Sequence, residues 1–141
     1  MQAFELVSRV PASAEQVFGL LSDHRGLAEW SGAKEVVLRQ EGDPPPNGLG
    51  AIRVIRGAGL AIEEEITAFE PPKRMTYRIA GGLPIRDHAG EIRVTSLEDG
   101  DAEVRWNVRF RPLVPGTGAL MAYLLRRGLE TLLARLSAYE F

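Results

Sequence analysis

The chain contains no cysteine, which excludes disulfides, thiolate nucleophiles and thiolate metal sites. Histidine is nearly as scarce. His24 and His88 are the only two, too few for a histidine-rich metal centre, so neither metal nor cofactor is expected. Basic blocks are also missing. The 17 Lys and Arg are offset by 19 Asp and Glu, the net charge is −2, and both signs are spread along the chain. Nothing there would track a phosphate backbone, and nucleic acid is not an expected partner. No run approaches the ~20 apolar residues of a membrane span. The opening MQAFELVSRV has Glu5 inside its apolar stretch and lacks the basic start of a secretory signal, so a cytoplasmic location is the expectation. No serine stands in a Gly-x-Ser-x-Gly elbow. The glycines at 57, 59, 81 and 82 fall in turns rather than in a phosphate loop.

What is present is an ordinary globular composition, 45% apolar and 26% charged over 141 residues. That length suits one domain, 1–141, burying about two-thirds of its unfolded surface. Nothing in the sequence specifies an oligomeric state.

Phe4, Leu6 and Val10 alternate with charged neighbours as in a strand that Pro11 ends. Ser13 and Gln16 form a capping box for a helix with Ala14, Val17, Phe18 and Leu21 on one face. Ser22-Asp23 opens a second short helix running to about Trp30. The prolines of Gly42–Gly48 keep that segment out of a sheet. Strands are expected near Val36–Leu38, Ala51–Arg56, Leu60–Phe69, Arg74–Ile79 and Arg86–Leu97, then a hairpin at Asp99-Gly100. In the last strand Val104, Trp106, Val108 and Phe110 alternate with polar residues, so one face is buried and one is wet. From about Gly118 to Tyr139 the period becomes helical, with Leu120, Leu124, Leu125, Leu129, Leu132, Leu133 and Leu136 on a broad apolar face. The order is strand, two short helices, about six strands, long helix. Strands and helices do not alternate, so the fold is α+β with an antiparallel sheet. The long helix is the only element large enough to cover the sheet's apolar face.

Several stretches carry a family resemblance: Val10-Pro-Ala-Ser13, Trp30, Glu64 to Arg74, Tyr77-Arg78, Gly90 to Val94, Ala102 to Trp106 and Pro115-Gly-Thr-Gly118. With this element order, the chain resembles the polyketide cyclase/dehydrase branch of the START-like (SRPBCC) superfamily over essentially its whole length. The resemblance implies a helix-grip fold: a curved antiparallel sheet of six to seven strands, wrapped on the C-terminal helix and enclosing an apolar cavity. It implies a range of activities, among them aromatase/cyclases, lipid carriers, hormone and steroid binders, and co-chaperones. Fold alone therefore assigns no function.

Strand pairing gives the candidate site. If Trp106 faces inward, Asp99-Gly100 puts Ile92, Gly90 and His88 on its face. His88 then lies near Tyr77, and Tyr77 opposite Ile66 and diagonal to Glu64. Glu64, Tyr77 and His88 should form a polar cluster on an apolar wall, unless an intervening bulge turns one outward. Glu64 reads either as a carboxylate paired with Arg53 or Arg56 or as a ligand anchor or general base. His88 reads as a sheet-end histidine bonded to backbone or as a base, and Tyr77 as a core aromatic with a satisfied hydroxyl or as a proton donor. Trp30, Trp106 and Phe110 complete the expected ligand-binding set, and His24 is expected in solvent. Three functions follow in order: binding of a small, largely apolar molecule (lipid-, polyketide- or steroid-like); a cyclase, aromatase or dehydratase using Glu64, His88 or Tyr77; and a protein-interaction module with a vestigial cavity.

Overall fold

A computed structural model describes residues 1–141. The elements follow the expected order: β1 (Gln2–Val10), α1 (Ala14–Ser22), α2 (Leu27–Ser31), β2 (Glu35–Gln40), β3 (Ile52–Gly57), β4 (Leu60–Glu70), β5 (Arg74–Gly81), β6 (Ile85–Ser96), β7 (Ala102–Pro112) and α3 (Gly118–Ser137). The strands form one antiparallel seven-stranded sheet ordered β1-β7-β6-β5-β4-β3-β2. With α3 packed on it and two short helices after β1, the fold is α+β and of the helix-grip kind.

Local chemistry sets the boundaries. Ser13 Oγ accepts the Gln16 amide and Gln16 Oε1 accepts the Ser13 amide, both at 3.1 Å, which completes the capping box at α1. The two-residue turn Ala58-Gly59 has φ of 50° and 77° at its two positions, as a primed hairpin turn requires. That turn fixes the β3–β4 register, including Arg53 opposite Glu64. Asp23 Oδ1 takes the Gly26 amide, so α2 starts at Leu27, after the expected Ser22-Asp23 opening.

One face of the sheet carries the core. Two cross-strand rows show the pattern: Ile66–Tyr77–Gly90–Val108–Phe4, and Met75–Ile92–Trp106–Leu6 beside it. Phe18 of α1 closes on Phe69 at 5.7 Å between ring centroids. α3 runs alongside β1, from Gly118 beside Gln2 to Ser137, whose Oγ lies 3.1 Å from Ser8 Oγ and donates to the Arg9 carbonyl.

The leucine face is narrower than the expected one. α3 rests on β1, β7 and α2. It buries Met121, Leu133 and Leu136, leaves Leu125, Leu129 and Leu132 half-buried, and exposes Leu120 and Leu124 at 58% and 52%. The cause is the strand order. β1 is an edge strand, so a helix lying along it cannot also cover β2–β5. Leu136→Ala should therefore cost about 3 kcal/mol in denaturant melts, and Leu124→Ala less than about 0.5 kcal/mol. Equal losses would contradict this placement of the helix.

Candidate functional site

The inner face of β3–β6 holds a buried polar cluster. Arg53 and Glu64 face each other across the β3–β4 ladder. Arg53 Nε and Nη2 donate to Glu64 Oε1 at 3.0 and 2.7 Å. Arg53 Nη1 lies 2.9 Å from His24 Nδ1, and the opposite ring nitrogen lies 2.9 Å from the Asn47 carbonyl. A guanidinium only donates, so His24 Nδ1 accepts and Nε2–H donates to Asn47. Burial, and then the Arg53 charge, push the His24 pKa down to about 3, against the opposing hydrogen bond to Asn47. His24 is therefore neutral and fully buried, not solvated as expected. The proline-rich loop folds back over it. Asn47 Oδ1 accepts the His24 amide as well.

Tyr77 lies at the centre. Its ring crosses Gly90 on the next strand so closely that a Cβ there would lie 2.3 Å from Cζ and 2.4 Å from Cε1, so a side chain at this position would clash with the ring. Trp106 Nε1 donates to the Tyr77 hydroxyl at 2.9 Å, with the rings edge to face at 6.2 Å. Burial, then the Glu64 charge, raise the Tyr77 pKa, so the phenol stays protonated. Its own hydrogen finds no acceptor in the protein.

His88 sits in a bulge of β6 between Arg86 and Ala89, where Asp87 takes φ of 52°. The extra residue puts Arg86 outside and His88 inside. The β5–β6 ladder stops at Tyr77↔Gly90. Just beyond it, His88 Nδ1 accepts the Ile79 amide at 2.9 Å in place of a strand carbonyl. Burial pushes the His88 pKa down to about 4. The ring is neutral, with its hydrogen on Nε2, and lies 5.3 Å from the Tyr77 ring.

Glu64, Tyr77 and His88 thus share one wall, as the strand pairing implied, although bulges interrupt the register at three places in β4–β7. Three valences remain free: Glu64 Oε2, the Tyr77 hydroxyl hydrogen and His88 Nε2–H. Trp30 Nε1 is the one fully buried side-chain nitrogen or oxygen without a partner, so packing does not close off Oε2 or Nε2.

Tyr77, His88, Trp106 and Phe110 share a face and are 3%, 7%, 4% and 0% exposed. One expectation changes. Trp30 stands apart from the cluster, edge-on to Tyr139 beyond the end of α3 at 6.5 Å. A depression of about 830 Å³ lies on the opposite, outer face of the sheet. Its sides include Ala3, Thr76, Ala89, Asn107 and Arg109, and it reaches Tyr77, His88 and Gly90 through the strands. Sequence reasoning offered Arg53 only as one of two partners for Glu64 and misplaced His24. The two-residue turn at Ala58-Gly59 was the available signal for Arg53, since it forces positions 53 and 64 opposite each other. No local signal marks His24, because its partners come from a loop and a strand further along the chain.

A seven-stranded antiparallel sheet with a long C-terminal helix packed on it and two short helices after the first strand defines the helix-grip class. The chain belongs to the family described as polyketide cyclase / dehydrase and lipid transport, which it matches over residues 1–139. No curated protein matches it. Among solved structures it is similar to a protein of Thermobifida fusca, with 24% identity, 99% of this chain and 96% of that one covered, and a TM-score of 0.77. It is also similar to the Zhui aromatase/cyclase from Streptomyces sp. R1128, with 16% identity, coverage of 97% and 92%, and a TM-score of 0.82. A START superfamily protein from Mycobacterium smegmatis gives 13% identity, coverage of 96% and 94%, and a TM-score of 0.82. At these identities the likeness is one of fold.

Proposed function

We propose that the protein binds a small, largely apolar molecule between the sheet and α3, with an acceptor oxygen of that molecule held by Tyr77 and His88. One observation carries the reading: two hydrogen-bond donors, Tyr77 O–H and His88 Nε2–H, lack protein acceptors on the same apolar wall. Donors left unpaired at such a place cost free energy unless a ligand or water meets them. The apolar part of the ligand would lie towards β2 and β3. There Val36, Leu38 and Ile55 are only half-buried at inner-face positions, as are Leu125, Leu129 and Leu132 on α3. The family's lipid-transport description and the aromatase/cyclase relative agree with such a ligand. A protein-interaction module would have no need of unpaired donors on its inner wall.

Base-catalysed cyclisation is less well supported. The basic nitrogen of His88 is taken by the Ile79 amide, and Glu64 Oε1 by Arg53. Glu64 Oε2 is the single basic valence left.

Native mass spectrometry of the purified protein should reveal a retained small molecule, and a naphthyl ketone dye should bind the folded state saturably. Tyr77→Phe keeps the ring and removes the donor, and should weaken dye binding about five- to tenfold. Absence of both a retained molecule and saturable dye uptake would refute binding. Unchanged affinity in Tyr77→Phe would remove the role given to its hydroxyl.

A further inference from the structure

Where β7 hands over to α3, the surface is unlike the rest of the molecule. Leu113, Val114, Leu120, Tyr123 and Leu124 are each more than half exposed. Leu120, Tyr123, Leu124 and Arg127 recur at helical spacing and form one outward stripe of α3. The Leu113 amide bonds to the Pro84 carbonyl at 3.0 Å, which ties the connecting loop to the β5–β6 turn, and the Thr117 amide to the Val114 carbonyl at 3.3 Å.

The sequence around this ridge is rich in arginine. Between Glu103 and Glu130 the sequence contains no acidic residue, yet it carries Arg105, Arg109, Arg111, Arg126 and Arg127. Arg105 is paired with Glu5 and Glu103 within the sheet. Arg111 has one loose neighbour, Asp87 at 3.7 Å. Arg109, Arg126 and Arg127 have no carboxylate partner. Arg126 and Arg127 instead lie 5.9 Å over the rings of Phe4 and Tyr123. A chain of net charge −2 thus sets two guanidinium groups without carboxylate partners, Arg126 and Arg127, on the same helix as its exposed leucines.

We propose that this ridge docks on an anionic lipid bilayer. Apolar side chains rimmed by guanidinium groups match the boundary between acyl chains and acidic headgroups. No helix here is long and apolar enough to cross a membrane, so the contact is interfacial. A second copy of the chain is a poorer occupant, because no acidic residue lies between positions 104 and 129 to meet the partner's guanidinium groups. The proposal is independent of the ligand reading above, since Leu120, Leu124, Arg126 and Arg127 lie outside the Tyr77–His88 wall.

Flotation with vesicles tests it. The protein should float with vesicles of equal parts phosphatidylcholine and phosphatidylserine, and far less with phosphatidylcholine alone. Added salt should weaken the association. Arg126→Gln with Arg127→Gln should weaken it about twentyfold or more, from about 1 kcal/mol per guanidinium. Leu120→Ser with Leu124→Ser should weaken it at least about tenfold. Both double variants should keep the wild-type melting temperature and take up the naphthyl ketone dye normally, so failure here is distinguishable from failure of ligand binding. Failure of the wild type to float with phosphatidylserine vesicles at low salt would overturn the proposal. So would binding that neither double variant changes, self-association abolished by Leu120→Ser/Leu124→Ser, or capture by polyglutamate (standing in for an acidic protein) without vesicle binding.

Discussion

Arg53→Met is expected to destabilise the fold by about 3–5 kcal/mol in equilibrium denaturation at neutral pH. Arg53 and Glu64 have side chains only 5% and 10% exposed, and their closest approach is 2.7 Å. Removing the guanidinium leaves a buried carboxylate whose Oε1 loses two donors, and it also deprives His24 Nδ1 of the hydrogen it accepts. The cost measures uncompensated burial rather than the net worth of the pair. Bringing two ions out of water is itself expensive, so Arg53→Met/Glu64→Leu should recover most of the loss and can equal the wild type. A double variant as unstable as Arg53→Met alone would show that packing at position 53, and not the stranded charge, sets the cost.

The fold was legible from sequence to within a few residues because its signals are local or have a fixed period. Alternation over Val104–Phe110, the capping box at Ser13 and the Asp99-Gly100 turn each have one structural solution. The candidate wall was legible for a related reason. Counting in twos from Trp106 reaches Gly90 and His88, and the β5–β6 pairing brings Tyr77 opposite Gly90. The count succeeded despite the β6 bulge between Arg86 and Ala89, because His88 within it still turns inward. What escaped was set by tertiary geometry. The burial of leucines along α3 depends on which strand lies at the sheet edge, and periodicity is silent on that. The burial of His24 depends on a loop that closes over it from another part of the chain. The roles of His88 and Glu64 depend on which of their atoms are already engaged, and residue type alone does not carry that information.

Both histidines should make the fold acid-sensitive well above the range in which carboxylates titrate. In the folded state their pKa values lie at about 3 for His24 and about 4 for His88, against 6.5 for the free side chain. The unfolded chain therefore binds more protons than the folded one below about pH 6.5, and stability falls with falling pH. The histidine contribution is fully present above about pH 7.5, declines through 6.5, and is exhausted only below the folded values. Between about pH 7.5 and about pH 5 each histidine should remove about 2 kcal/mol, or about 4 kcal/mol together. Glu91, whose pKa is lowered first by its bond to Arg74, contributes in the same direction but mostly below its ordinary value of 4.5, outside this window. His88→Asn keeps an acceptor oxygen for the Ile79 amide and has no titrating group, so it should halve the loss. Arg53→Met should shrink the His24 share, because the Arg53 charge is the second cause of its depression. Urea melts of the wild type and His88→Asn at the two pH values decide the matter. A wild-type loss below about 1 kcal/mol would mean that both rings take up protons in the folded state at ordinary pH. An unchanged slope in His88→Asn would assign the whole effect elsewhere.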